Sequence, residues 1–587
     1  MKPKRITNRP LFSYFILFLA IIFNSPSFAQ ENLPFPYDRE WATYYGGYWL
    51  WSFGIAVDSR ENIYIRSNVT APNGLTGTPG THQPNFAGMQ DDMLTKFDTA
   101  GNLVWSTYFG GPDGEHEAGE LVMDEENNIY ITGYTKSNTN IATPGAHQES
   151  INNSSPVNNG NGDCYIAKFD TNGNLVWATY FGGENLEKIQ SISLKDGFFY
   201  VVGVTQSSTN IATPGSYQST VNPQPPGSIL YTVPFIAKFS LDGDLIWSTY
   251  HGQFVDSLGA NAVGIDANNN IYVVGRARPT AAYLTTAGAY QTVNNGEGDL
   301  MVTKFNENGD KIWCTYYGGE ENDTPKDIVI ANNHLYITGY TASSTNIATT
   351  GVHHENLTAP NDAFLLKMDL DGNPSWGTYM GSQGANSLTI AKSVSYSDNS
   401  IWISGETNAT NGIASLGAHQ ESYGGGDKDA FFAKFDENGQ RLWGSYYGGE
   451  KRETNFIANQ GDNFYLAGHS MSTTGIATES AYQPNIGAGN NPQNVYLAKF
   501  VPKTLSTPSN QVKAFSIYPN PAEKYFQIGG NNTGDLKINV YTSTARLVKT
   551  FNAAKLYQKL ELNLATGVYF IEIMSNENKE TIRLVVK

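Results

Sequence analysis

WATYYGG, from Trp41 to Gly47, comes back six more times along the chain: WSTYFGG at Trp105, WATYFGG at Trp177, WSTYHGQ at Trp247, WCTYYGG at Trp313, WGTYMGS at Trp376 and WGSYYGG at Trp443. The spacings are 64, 72, 70, 66, 63 and 67 residues. Self-similarity at a near-fixed period marks one supersecondary unit stacked many times.

Three further strand signals fill each period. IYITG-type runs start at Ile63, Ile129, Phe199, Ile271, Leu335, Ile401 and Phe464. AKFD-type runs carry Lys96, Lys168, Lys238, Lys304, Lys367, Lys434 and Lys499. A less regular run such as Gly119–Asp124 precedes the IYITG strand. Between the second and third strands lies a long polar connection, SNTNIATPGAHQES from Ser137 in one copy. The third and fourth strands are joined by turns such as Thr171-Asn172-Gly173-Asn174, where Asn-Gly suits the positive φ of a tight hairpin. Aromatics at 13% against only 16% charged residues agree with strands and turns. No sustained helical period runs through the chain after its N-terminus.

Four antiparallel strands repeated seven times describe a β-propeller. The phase of the repeat predicts closure. The chain begins with a lone fourth strand at Trp41 and leaves its last unit, Asn455–Phe500, without one. The first strand therefore completes the last blade and removes an open edge. The expected fold class is all-β: a seven-bladed β-propeller closed by an N-terminal strand, then a small C-terminal β-sandwich. The expected divisions are a signal peptide at 1–29, the propeller at 30–500, a linker at 501–510 and the terminal module at 511–587. The repeated elements resemble the seven-bladed β-propeller repeats of secreted bacterial proteins. That resemblance implies a fold and an extracytoplasmic setting, not an activity.

Lys2, Lys4, Arg5 and Arg9 precede a 13-residue apolar stretch, Leu11–Phe23, and Ser27-Phe28-Ala29 offers a cleavage site. This reads as a secretory signal peptide, too short to span a bilayer. No other segment is apolar enough to cross a membrane. Cleavage leaves 33 basic against 54 acidic residues, a formal net charge of −21, which disfavours nucleic acid as a partner. At the other end, Tyr518-Pro519-Asn520-Pro521, the Leu564–Tyr569 run and the basic terminus at Lys587 resemble a type IX secretion sorting domain, type A. The resemblance implies the type IX machinery as a partner and the outer-membrane surface or surroundings of a Gram-negative bacterium as the destination.

The chemistry is less explicit. His82, His147, His353 and His419 share one repeat position with Tyr217, Tyr290 and Tyr482. Free exchange of His with Tyr argues for ring packing over metal ligation. The repeated lysines, and Asp91, Asp163, Asp299, Asp362 and Asp429 at the start of the third strands, read as repeated blade contacts. Asp369–Asn373 has the opening spacing of a calcium loop but lacks its closing Glu, so it reads as a hairpin turn. Cys164 and Cys314 fall in non-neighbouring repeats, so no internal bridge is expected. No metal, cofactor or catalytic residue is assigned. The blade-specific features are Trp49 and Trp51, entering blade one, and Glu115, His116 and Glu117, entering blade two. Both lie in fourth-to-first connections, which share a face with the long connections. That loop face is the expected place for a glycan or protein ligand. The leading expectation is an exported, non-enzymatic binding or scaffolding module. The alternative is a secreted polysaccharide hydrolase or lyase with its site on the same face.

Overall fold

The computed structural model describes residues 35–587 except 48–49, 71–74, 117–118, 153–161, 223–230, 255–258, 383, 385, 488–491, 504–514, 531–534, 543–545 and 576–578. The signal-peptide reading, Trp49, Glu117 and residues 504–510 of the expected linker fall outside the described residues, while Val501 and Pro502, expected in that linker, belong to the strand Asn494–Pro502. The chain forms two compact units, Met1–Lys503 and Thr504–Lys587.

Seven antiparallel sheets make up the first unit. In blade one the strands are Leu50–Val57, Ile63–Val69, Asp91–Phe97 and Leu103–Phe109, each bonded to the next. The innermost strands of blades two to seven are Leu121–Met123, Glu187–Lys195, Ala262–Ile265, Asp323–Ala331, Thr389–Ser397 and Glu453–Gln460. Each touches the innermost strand of the next blade, and that of blade seven touches that of blade one, so the ring is closed. In blade seven the outermost strand is Tyr37–Tyr45, paired with Asn494–Pro502 so that Trp41 faces Lys499 and Tyr44 faces Tyr496.

The second and third strands are buried along nearly their whole length, because each blade is covered on both faces by its neighbours. Continuous apolar runs such as FYVVG and DAFFAKF follow from that two-sided cover.

The repeated tryptophan joins blade to blade. In six copies its indole N–H donates to a carbonyl in the third-to-fourth hairpin of the next blade: Trp41 to Thr99, Trp105 to Thr171, Trp177 to Leu241, Trp247 to Glu307, Trp313 to Leu370 and Trp376 to Glu437, at 2.9–3.3 Å. The ring lies on that hairpin's glycine. A Cβ on Gly101 would stand 2.8 Å from Trp41, and one on Gly439 would stand 2.9 Å from Trp376. The same glycines hold φ of +77 to +91°, where L side chains are strained. The hairpins close with a register slip, as between Leu175 and Trp177, and the glycine supplies the expected positive φ. At Thr171–Asn174 only Gly173 takes positive φ. Blade seven has no such hairpin, since its outer strand comes from the other end of the chain. There Phe35 packs edge-on against Trp443 at 4.9 Å, and Tyr37 lies 6.0 Å from the same ring.

The repeated lysines also bridge blades. Lys96, Lys168, Lys304 and Lys367 lie over the second-strand tyrosines Tyr64, Tyr130, Tyr272 and Tyr336 at 5.1–5.4 Å. They donate to carbonyls of Thr171, Leu241, Leu370 and Glu437 in the following blade.

The long connections do not simply widen the loop face. They run down the outer edge of their own blade and cover its fourth strand: Thr143 N–H donates to Ala178 and Tyr180 N–H to Gln148. They satisfy an edge that would otherwise be open. The His/Tyr position then packs on the next blade. His82 meets Phe169, His147 meets Phe239, Tyr217 meets Phe305, His353 meets Phe435, His419 meets Phe500 and Tyr482 meets Phe97, with ring centroids 5.1–6.4 Å apart. Lost hydration against these rings lowers His82 and His147 below the ordinary imidazole value, although both residues are exposed at their outer side, and holds the half-buried His419 at about 4, so these rings are neutral packing groups near neutral pH.

The C-terminal unit has a three-stranded sheet, Phe515–Tyr518, Tyr525–Gly530 and Leu560–Glu561, and a four-stranded sheet built from Leu536–Thr542, Leu547–Ala554, Gly567–Met574 and Lys579–Val586. Phe526 and Ile528 of the first share one apolar cluster with Ile538, Val540, Ile571 and Leu584 of the second.

Candidate functional site

Aligning the seven second strands isolates one position where the repeat fails. Directly after the shared IYITG-type core stand Asn68, Tyr134, Val204, Arg276, Tyr340, Glu406 and His469. These residues sit at the loop-face end of the strand, beside the start of the innermost strand. Trp51 is paired with Asn68, and Thr454 with His469. The blade-specific side chains therefore gather where the inner strands leave the ring for the loops.

In blade six this end is strongly charged. Glu406 is nearly enclosed, its side chain 4% exposed, and three cations meet it. Lys428 Nζ is 2.6 Å from Oε1, while Lys392 Nζ and Arg452 Nη2 are 3.0 and 3.4 Å from Oε2. These cations, lysines foremost, outweigh burial and hold the Glu406 carboxyl down at about 2. Lys392 also donates to Thr454 of blade seven at 3.0 Å. It owes its direction to a β-bulge: the pairing slips between Ala391 and Ser393, and Lys392 is the extra residue.

Next to this cluster is His469. It is 4% exposed, and neither ring nitrogen has a hydrogen-bond partner. Burial first, then the Lys392 and Arg452 charges, push it down to about 3. The half-buried Trp51 stands edge-on to it, with centroids 4.7 Å apart.

The other expected site residues fare differently. Glu115 and His116 form a short strand paired with Tyr134 and Thr135. Glu115 is fully enclosed; it accepts the Thr135 hydroxyl at 2.7 Å and the Gly111 N–H at 3.1 Å. Burial pushes it up to about 8. It faces Asp91 of blade one across Gly110, where an added Cβ would touch both carboxyls. The same opposition recurs for Asp163 with Glu187, Asp299 with Asp323 and Asp429 with Glu453. In all four pairs the aspartate Oδ1 is buried without a hydrogen-bond partner. Burial, with the like charge across the gap behind it, raises the proton affinity of these carboxyls. Glu115 belongs to the blade junctions and has no surface for a ligand.

The remaining candidates are structural. Asp369 Oδ1 accepts the N–H groups of Asp371 and Asn373, which closes a hairpin turn. Cys164 and Cys314 are buried free thiols on separate blades. Among the described residues, no three His, Cys, Asp or Glu side chains gather as metal ligands.

Comparison with known proteins agrees with the two ends of this description. Residues 104–140, which hold the Trp105 strand and the inner part of blade two, match a β-propeller repeat model. Residues 516–587 match the model described as a secretion system C-terminal sorting domain. The chain is a β-propeller protein with a type IX sorting tail. It is 24% identical over 410 residues to an uncharacterised WD repeat-containing protein of Acanthamoeba polyphaga mimivirus, covering 59% of this chain and 28% of that one. It is 23% identical over 480 residues to the regulatory protein FlaEY of Caulobacter vibrioides, covering 74% of this chain and 47% of that one. The chain thus spans less than half the length of these curated relatives. Among solved structures it is similar to the surface component PorZ of the Porphyromonas gingivalis type IX system, at 13% identity and a TM-score of 0.20, over 91% of this chain and 81% of that one. The sorting tail marks this as a secreted or cell-surface protein. Among the described residues no helix is long and apolar enough to cross a membrane.

Proposed function

We propose that this secreted β-propeller works outside the cell as a non-enzymatic binding or scaffolding module and presents the loop-face end of its inner strands to a glycan or protein ligand. Export begins with the signal peptide at 1–29, passes through the type IX machinery and ends at the surface of a Gram-negative bacterium. The observation that carries the reading is the sorting tail behind a ring whose blade junctions are built alike. Its blade-specific chemistry is confined to one end of the inner strands. Repetition of the same indole, lysine and ring contacts serves stability, and a fold of this kind does not by itself imply catalysis. The acid with the most strongly raised proton affinity at a predicted site, Glu115, is enclosed and bonded to Thr135, out of reach of a substrate.

The test is a glycan array probed with the full chain, run beside a hydrolysis and lyase screen on the same sugars. Saturable binding without product is expected. Release of product sugar from any array member would reject the non-enzymatic reading.

A further inference from the structure

We propose that the loop-face end of blades six, seven and one binds an acidic sugar, its oxoanion held by Lys392, Lys428 and Arg452 and its ring placed beside Trp51. This names a ligand class for the binding surface above and rests on that reading.

Charge is the first argument. Three cations face one carboxylate, a local formal charge of +2. The chain as a whole is at −17. Concentrating cations there against the general charge focuses the field on an incoming anion. Both Glu406 oxygens are already taken, yet donor capacity is left over. Arg452 Nε is buried without a hydrogen-bond partner, and the Lys428 ammonium has three N–H groups for one carboxylate oxygen.

The second argument is independent of charge. His469 is buried with both ring nitrogens unpartnered, an arrangement that costs free energy unless something fills it. Trp51 supplies the flat apolar surface that a sugar ring's C–H face needs, 4.7 Å from that imidazole. The third argument is placement. The inner strand of blade six carries the same bulge as those of blades one, three and five, and in blade six the bulged residue is Lys392, which reaches Glu406 and Thr454. A nucleic acid would meet the net negative charge of the whole ring over many phosphates. A sugar oxoanion needs only this one spot.

The test titrates the full chain by calorimetry with polygalacturonate (a carboxylate polymer), heparin (a sulfate polymer) and dextran (neutral). The variants are Arg452→Gln, Lys428→Gln and both together, with Lys195→Gln as an exposed control. Circular dichroism and the melting midpoint confirm that each variant is folded. Arg452→Gln alone removes only a 3.4 Å contact to Glu406 and keeps the test valid should the double variant misfold. The expected result is binding of polygalacturonate, heparin or both, weakening as salt rises, and no binding of dextran. The double variant should bind about tenfold more weakly and the control should match wild type. A response to polygalacturonate alone assigns a carboxylate, and to heparin alone a sulfate. Absence of binding to both acidic polymers overturns the proposal, as does equal affinity in the double variant. Binding of dextran unchanged by the double variant also overturns it, while leaving the binding-module reading intact. Turnover of a bound polymer would do the reverse.

Discussion

Gly101 offers a direct measure of how blade closure is held. It lies in the third-to-fourth hairpin of blade one at φ +80°, under the indole of Trp41, which belongs to the strand that completes blade seven. In Gly101→Ala the new methyl would stand 2.8 Å from Trp41 Cδ2 and Cε3, too close for contact, so the indole must lift. Two costs add. Holding alanine in the left-handed region costs ~1–2 kcal/mol. Forcing a methyl into a filled contact costs ~1–3 kcal/mol more, with the Trp41 indole bond to Thr99 at risk. Gly197 separates the two. Its φ is +81°, but an added Cβ there has nothing within 4 Å. Gly197→Ala should therefore show the backbone cost alone. Urea unfolding followed by tryptophan fluorescence should give a loss of ~2–5 kcal/mol for Gly101→Ala and ~1–2 kcal/mol for Gly197→Ala. Equal losses would refute the claim that the indole–glycine contact locks the ring at its closure.

Other expectations follow from the same contacts. His147→Tyr should be close to neutral in thermal melts, since Tyr217 occupies the equivalent place, and His147→Ala should lose only about 0.5 kcal/mol, because the ring packs on Phe181 and Phe239 from an exposed position. Deleting residues 40–47 should destabilise the ring severely, because Trp41, Tyr44 and Tyr45 are all buried and each contributes ~1.5–3 kcal/mol. The folded-state values of Glu115 and Glu187, about 8, and of Asp429, about 7, lie above their ordinary carboxyl values. The folded ring therefore holds protons that the unfolded chain releases. That stability is fully present below the ordinary carboxyl range and is lost as pH rises towards 8. Denaturation midpoints should fall from pH 5 to pH 8.5, and Glu115→Gln should show a smaller fall than wild type. Glu406, held at about 2, works in the opposite sense: its contribution is lost as pH drops below about 4.

Much of this architecture was legible because the repeat aligned itself. Trp41 and Trp105 to Trp443 mark the outer strands, and the lone strand at Trp41 announces closure. The path of the long connections was not legible. Thr143 and Gln148 bond to a strand some 30 residues away, and nothing in their spacing tells an edge cover from a surface loop. The hairpin turns were legible, since Gly173 takes the positive φ that the Asn-Gly pair announces, while the indole of the previous blade resting on that glycine was not. At the candidate site, Trp51 was legible as a feature of blade one alone. Glu115 carried the same signal yet serves a blade junction. Glu406 and His469 were visible in the sequence as departures at an aligned position. They are found only when the second strand is followed past its repeated core. Lys392 was hidden, because its direction depends on a bulge that sequence period alone does not reveal.

Export is the central claim, and its most direct test follows the protein's fate in cells of a bacterium with a type IX system. The full chain and a chain lacking residues 516–587 are expressed in parallel. Mass spectrometry then counts propeller peptides in the periplasm, on the surface and in the medium. The account predicts propeller peptides of the full chain at the surface or in the medium, without peptides from Phe515–Lys587, and the shortened chain confined to the periplasm. Equal amounts of both chains outside the cell would contradict it.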